Sequence, residues 1–535
     1  MSAADLQRDG RRATTVAVLF LVAATLATYG NSLGADFVWD DVPIVVESAL
    51  GTSPPGLAEV LLSPDEVKPY YRPLSRASYL VDARIWGRRP WAFHGVNLAL
   101  HAANVVALFF LVRLLFRDRR LALGAALLLA VHPLNAETVD FVSARNNLFA
   151  LLFLQGAIGL LASGLAERSR ATIWASGLSW FLALSSKESA AAGAALLAAY
   201  AALPILPTSA APRHRALALL PHALFLGAYL SLRAIALEGL VGTPLQLGSV
   251  AETLRLNYHA MPRYLELVLF PARLNVFHEL PAGGVMASPW LLVAWAASAA
   301  GVVLLVRQRS LPSLAGLAWF AVNYLPAANL VPIPSAAMAE RFLYLPAVGL
   351  WLIAADQAIR LWERGGRKRW VAALMALAVV GLASRTVRRN ADWRDDVALF
   401  ESSLAVNPRS VIASFNLGSA LRDRGDLAGA EGAWRRALEI DPGEAGSTIQ
   451  LGTLAAVRGD MGEAERLYRS AQEREPGNAL LQLNLARLLE RTSRPREALV
   501  HYDRFLELAT KDHAGYVRGA RESRERILRQ LGDTR

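Results

Sequence analysis

Between residues 14 and 386 the chain returns again and again to apolar runs, and nothing else in it restricts the possible folds so strongly. An α-helix rises 1.5 Å per residue, so about 20 apolar residues cross a hydrocarbon core of about 30 Å. Eleven such segments are read, near residues 14–31, 93–116, 119–132, 141–164, 171–185, 188–206, 216–236, 288–306, 312–330, 342–361 and 370–386. Backbone polar groups facing lipid must be satisfied internally, so these segments imply an all-α, polytopic membrane domain. A further stretch, Tyr258 to Leu269, is interrupted by Pro262, Arg263 and Glu266 and reads as interfacial or re-entrant. The first run follows Arg8, Arg11 and Arg12. It is long for a signal peptide and lacks a clear A-x-A site, so an uncleaved anchor is expected.

The chain carries 56 Lys and Arg against 45 Asp and Glu, a net charge of +11. On a soluble protein that excess would point to nucleic acid. Here it has another address. Arg8/Arg11/Arg12, Arg117/Arg119/Arg120, Arg168/Arg170, Arg213/Arg215, Arg307/Arg309 and Arg364/Arg367/Lys368/Arg369 fall in every second inter-span loop. This is the positive-inside pattern; it places the N-terminus in the cytoplasm and, with eleven spans, the C-terminal tail on the opposite side. No nucleic-acid partner is expected. Cysteine is absent, which excludes disulfides, a thiol nucleophile and thiolate metal sites. Lysine is confined to Lys68, Lys187, Lys368 and Lys511 while arginine and alanine abound, as in GC-rich bacterial genomes. The expected location is a bacterial cytoplasmic membrane with a periplasmic tail, or the endoplasmic reticulum membrane in a eukaryote.

From about residue 388 the composition turns polar and a period of 34 residues sets in. Asn416-Leu417-Gly418 recurs as Gln450-Leu451-Gly452 and Asn484-Leu485-Ala486. The same step links Gly425, Gly459 and Ser493; Ala430, Ala464 and Ala498; Trp434, Tyr468 and Tyr502; and Pro408, Pro442 and Pro476. Small residues where paired helices touch, a large one at the packing position and a proline ending the second helix form the tetratricopeptide pattern. The expected organisation is a membrane domain over residues 1–387, with outer loops 32–92 and 237–287, and a tetratricopeptide α-solenoid over 388–535. The solenoid divides into a half-repeat (393–408), repeats 409–442, 443–476 and 477–510, and a capping helix (512–531). Such arrays bind peptide segments in a concave groove; the alternative is a scaffold that only packs.

The loops predicted on the outer side carry a different set of residues. The first opens with Asp36-Phe37-Val38-Trp39-Asp40-Asp41. Paired carboxylates at a span end serve as base and orienter or as cation ligands, or else cap a helix. Tyr71-Arg72-Pro73-Leu74 follows, with a guanidinium suited to a phosphate or to a salt bridge. His94, Asn97, His101 and Asn104 share one helical face that must meet protein rather than lipid. His101 and Asn104 lie deeper and read as structural, while His94 is near the mouth. The next outer loop is His132-Pro133-Leu134-Asn135-Ala136-Glu137, then Asp140 and Arg145-Asn146-Asn147. Ser186-Lys187-Glu188 and Glu340-Arg341-Phe342-Leu343-Tyr344-Leu345-Pro346 put Lys187 and Arg341 on the side the orientation rule keeps poor in cations. A phosphate explains both; for Lys187 the alternative partner is Glu188.

In order and side, these motifs resemble the transmembrane-and-tetratricopeptide O-mannosyltransferases and their bacterial relatives, and the Trp393-Arg394-Asp395-Asp396 run opening the tail fits as well. The resemblance covers nearly the whole chain. It implies a GT-C glycosyltransferase: a multi-span, inverting enzyme that takes a sugar, in this family mannose, from a polyprenyl- or dolichyl-phosphate donor to a protein Ser/Thr hydroxyl. The expected base is Asp40 or Asp41, with Glu137 as the second-loop acid. Lys187, Arg341, Arg72 and His132 would hold the donor phosphate, and His94, Asn97 and Tyr344 would line the site. No metal is assigned; Asp40, Asp41 and Glu137 are the expected ligands if a divalent cation is used. The expected partners are the lipid bilayer, the lipid-linked sugar, and an acceptor protein or peptide held by the repeat groove.

Two other classes compete. A transporter of lipid-linked substrate would show charges mid-span or broken helices in two matching halves. A membrane-anchored scaffold would not need eleven spans or a one-sided polar set.

Overall fold

The computed structural model describes residues 3–47, 56–63, 70–237, 239, 249–280, 289–329, 336–364, 368–510 and 513–532. Arg367 and parts of the two long outer loops lie outside the described residues, as do Lys68 and Lys511. The described elements are all helical, and the chain divides into two compact units, Met1–Leu399 and Phe400–Arg535.

The first unit holds α1 (Ala3–Tyr29), α2 (Leu57–Leu62), α3 (Pro73–Trp86), α4 (Pro90–Phe116), α5 (Arg119–Val131), α6 (Ala136–Asp140), α7 (Arg145–Glu167) and α8 (Arg170–Ser186). It continues with α9 (Gly193–Ala202), α10 (Pro212–Leu217), α11 (Leu220–Ala236), α12 (Val250–Leu269), α13 (Pro289–Gln308), α14 (Leu311–Tyr324), α15 (Ala347–Arg364) and α16 (Lys368–Asp392). Among the described residues, six helical segments are long and apolar enough to cross a membrane: Arg11–Gly34, Pro90–Phe116, Val142–Glu167, Pro212–Ala236, Pro289–Gln308 and Lys368–Asp392. A seventh crossing arises if Arg119–Val131 and Pro133–Asp140, bent by 55° at the break between them, form one span. Other segments read as spans form shorter helices, such as the 17 residues of α8 and the 14 of α14.

Local chemistry explains where the helices stop. Asp118 caps α5 by accepting the N–H groups of Arg120 and Leu121. Arg117, Arg168 and Arg309 stand in the left-handed region (φ 56°, 55° and 50°) where α4, α7 and α13 end, each in a loop the sequence marks as basic. Buried Val105, Phe109, Leu129, Leu151, Leu154 and Leu161, from α4, α5 and α7, belong to one apolar core. On the other flank α14 and α15 cross through Gly316 and Gly349; a Cβ on Gly316 would lie 2.5 Å from the Gly349 carbonyl oxygen, so only glycine permits this approach.

In the second unit the 34-residue period becomes alternating helices: α17 (Asp396–Val406), which begins in the first unit, then α18 (Val411–Asp423), α19 (Leu427–Ile440), α20 (Ala445–Arg458), α21 (Met461–Arg474), α22 (Ala479–Arg491), α23 (Pro495–Leu508) and α24 (Ala514–Gly532). Ala430, Ala464 and Ala498 are fully buried, and Trp434, Tyr468 and Tyr502 nearly so. Gly425, Gly459 and Ser493 occupy the same left-handed turn (φ 84°, 89° and 59°), with serine accepting the strain once. Ser410, Glu444 and Asn478 cap the first helix of each repeat with their side chains.

Candidate active site

The first outer loop leaves α1 through a 3₁₀ turn, Gly30–Gly34, and folds back at Trp39. Asp41 is fully buried behind that turn. One carboxylate oxygen accepts the Ser143 N–H and hydroxyl, both at 2.6 Å, and the other accepts the N–H groups of Val38 and Val142, both at 3.3 Å. Burial pushes Asp41 up to about 7, against the opposing pull of those hydrogen bonds. Four donors make Asp41 a tie between the first and second outer loops. Asp40, one residue earlier, is half-buried and follows Trp39, whose ring lies 5.9 Å from the Arg341 guanidinium carbon.

Glu137 sits on the short helix α6, fully buried. Its carboxylate accepts the backbone N–H of Arg341 at 3.0 Å and pairs with the Arg341 guanidinium. Arg341 itself stands on a 3₁₀ turn, Glu340–Leu343, with its guanidinium near the rings of Trp39, Phe141 and Phe342. Lys187 caps the end of α8 and donates to the Asn147 side-chain oxygen at 2.5 Å. Glu188, next in sequence, binds Arg72 instead, through two bonds of 2.9 and 2.6 Å. Burial, then the charge of Arg72 and that of Arg341, pull Lys187 down to about 7, with Glu188 and Glu137 acting the other way. The group thus contains three cations and two carboxylates, with Lys187 on an amide partner. An arriving phosphate anion would find two guanidinium groups and an amine able to take up a proton.

Other residues named from the sequence have protein partners of their own. His132 uses both ring nitrogens, one with the Val268 carbonyl at 3.0 Å and one accepting the Leu134 N–H at 3.2 Å. Asn97 donates to the Val139 and Phe141 carbonyls and accepts from Arg145 at 2.7 Å. Tyr344 is buried, with its hydroxyl 2.8 Å from His101 Nδ1. His94 reaches the Asp36 carbonyl at 3.3 Å, and its Nδ1 has no hydrogen-bond partner among the described residues. The four-residue stripe on α4 therefore does face protein.

Sequence reasoning quoted Asn147, the holder of Lys187, and Glu340 within motifs but gave neither a role of its own. Glu340 is fully buried; it accepts the Asn275 N–H at 2.5 Å, lies 3.1 Å from His278 and faces Arg389 at 3.5 Å. Burial opposes its charge, but Arg389 and His278 hold the carboxyl below its usual range. Arg389, in the last turn of α16 just past the apolar run and on the side predicted to be poor in cations, is the signal that could have pointed to this pair. Asp41 accepts from three backbone N–H groups and the Ser143 hydroxyl, and Glu137 from the backbone N–H and guanidinium of Arg341. Among the described residues no group of three or more His, Asp or Glu that could hold a metal is found.

The arrangement is that of a polytopic helical membrane protein with a buried polar site at the predicted outer ends of its helices, followed in sequence by a tetratricopeptide unit. The tetratricopeptide repeat family model matches residues 382–445 and 449–513. The chain is similar to protein O-mannosyl-transferases: 24% identical over 440 residues to one from Caenorhabditis elegans, covering 77% of this chain and 61% of that protein. A human protein O-mannosyl-transferase is 25% identical over 531 residues, covering 79% of this chain and 62% of the relative. A Drosophila melanogaster protein O-mannosyl-transferase reaches 39% over 110 residues, 20% of this chain and 12% of the relative. The chain thus spans about three fifths of the length of the first two. Among solved structures, the archaeal oligosaccharyltransferase AglB from Archaeoglobus fulgidus, in complex with an inhibitory peptide and a dolichol-phosphate, gives a TM-score of 0.43 at 12% identity over 74% of this chain and 56% of that one. ArnT from Cupriavidus metallidurans, bound to undecaprenyl phosphate, gives 0.42 at 15% identity over 88% and 80%.

Proposed function

We propose that the chain is an inverting membrane glycosyltransferase that moves a sugar, mannose by analogy with its relatives, from a polyprenyl-phosphate donor to a Ser/Thr hydroxyl on the extracytoplasmic face. The observation that carries the reading is the meeting of Lys187, Arg72 and Arg341 beside the loop of Asp40, in a chain similar to protein O-mannosyl-transferases over three quarters of its length. The donor phosphate enters this cationic group, and the leaving phosphate needs charge stabilisation rather than a proton. Asp40 takes the proton of the attacking hydroxyl. Asp41 is left the structural role because its oxygens are saturated. Glu137 holds Arg341 toward the phosphate. In this reading the basic loops face the cytoplasm, the repeat unit is extracytoplasmic, and its groove takes the acceptor segment.

The test is transfer by the purified protein, in lipid nanodiscs, from polyprenyl-phosphate mannose to a Ser/Thr peptide. Asp40→Asn should lower transfer by about 10²–10⁴, the usual range for a lost general base, with folding unchanged. Full activity in Asp40→Asn would remove Asp40 as base. No transfer from any polyprenyl-phosphate sugar by the wild type would sink the reading.

A further inference from the structure

The sequence marks Trp393-Arg394-Asp395-Asp396 at the opening of α17, and the site described so far makes no use of it. Within the first unit these residues hold the loop of the proposed base. The Asp36 N–H donates to the Arg394 carbonyl at 2.9 Å, and the Trp39 N–H donates to the Asp396 side chain at 2.8 Å. The two aspartates divide the work. Asp395 caps α17 through the Ala398 N–H at 2.9 Å, so Asp396 is released from capping and turns toward the loop. Trp393 is fully buried, its ring 5.5 Å from that of Phe141, which in turn stacks on Trp39 at 5.6 Å with planes 13° apart.

The bond from Trp39 falls on the strained residue of the loop. Trp39 has φ 49°, a left-handed conformation that a bulky aromatic residue adopts only when its surroundings impose it. Such outliers gather at functional sites and are paid out of neighbouring contacts. Asp40 follows directly, so the direction of its side chain depends on Trp39 keeping that conformation.

We infer that Asp396 is a positioning residue for Asp40: by accepting the Trp39 N–H it holds the left-handed turn that aims the base. The inference rests on the proposed role of Asp40. In this role Asp396 acts through the backbone of Trp39 and not on the donor or acceptor directly.

Two measurements test it, one independent of activity. In hydrogen-exchange mass spectrometry, Asp396→Ala should speed exchange about tenfold or more in the peptide covering residues 36–41 and leave α4 and α7 unchanged, as expected for a lost hydrogen bond on a disfavoured backbone. Unchanged exchange there in a folded variant overturns the inference even if the wild type transfers no sugar, an outcome that would count only against the proposed function. In the transfer assay, Asp396→Ala should lower kcat about tenfold with the donor KM within about twofold, and Asp396→Asn, which keeps a carbonyl acceptor, should recover most of it. A rise in donor KM at constant kcat, or no rescue by asparagine, contradicts positioning. A double-mutant cycle closes the argument. Glycine tolerates this turn, so Asp396→Ala should cost less in kcat in a Trp39→Gly background than alone; equal costs would show that Asp396 does not act through the turn.

Discussion

Arginine plays opposite parts at the two ends of the membrane unit. Arg117, Arg168 and Arg309 are exposed, end helices in left-handed turns, and occupy the loops that the sequence marks as basic. Arg120 and Glu363 approach only to 3.9 Å, with side chains 72% and 61% exposed. At the other end Arg145 and Arg389 are buried at 0% and 1% side-chain exposure, and Arg72 and Arg341 are largely covered. Arg145 alone meets Asp82 at 2.5 Å, the Asn97 oxygen at 2.7 Å, the Ser78 hydroxyl at 3.1 Å and the Phe93 carbonyl at 3.1 Å. Exposed charges here are interchangeable, because solvent screens them. Buried ones are each fixed to a partner, because a buried ion without one is expensive. Function therefore has to be sought where the arginines are paired.

The sharpest way to break this contrast is to remove one buried member. Arg145→Met strands Asp82 without its cation and should cost about 3–5 kcal/mol, seen as loss of folded protein in detergent, while Arg117→Ala leaves the melting temperature unmoved. Equal behaviour of the two variants would erase the distinction. Asp41→Asn should cost less, about 1–3 kcal/mol, because an amide NH₂ turned toward the N–H groups of Val38 and Val142 leaves a buried donor unsatisfied. If it instead abolishes transfer at full stability, Asp41 and not Asp40 is the base.

The smallest effect is one of pH. Lys187 is held near 7 in the folded chain against 10.5 as a free side chain, so between those values the unfolded chain binds the extra proton. Stability in detergent should rise with pH across that window, and Lys187→Met should flatten the rise. A bound phosphate favours the charged amine, so donor affinity should fall as pH climbs past about 7, and should become insensitive to pH in the same variant. A donor affinity that does not change between pH 6 and 9 in the wild type would take Lys187 out of the phosphate site.

Local pattern carried much of this. The 34-residue step named the buried Ala430, Ala464 and Ala498, and the tryptophan and tyrosines beside them, because a repeat imposes the same neighbours each time. The α4 stripe was readable because helical spacing alone decides which residues share a face. Pairings between distant segments were not readable. Glu188 binds Arg72 across 116 residues rather than Lys187 beside it, and Tyr344 meets His101 across 243. Such contacts depend on loop paths that no periodicity encodes. The same holds for His132, which looks like a ligand until Val268 and Leu134 take both of its nitrogens.

The glycine crossing of α14 and α15 bears on all of this from a distance. It brings together the two helices that bracket the segment carrying Glu340 and Arg341, with Tyr324 ending one and Ala347 beginning the other. Two hydrogen atoms thus set the gauge of a bracket: widen the crossing by one methyl group and both feet of the segment that bears the arginine move apart. A side chain at residue 316 or 349 would then be felt at Glu340 and Arg341, which neither glycine touches.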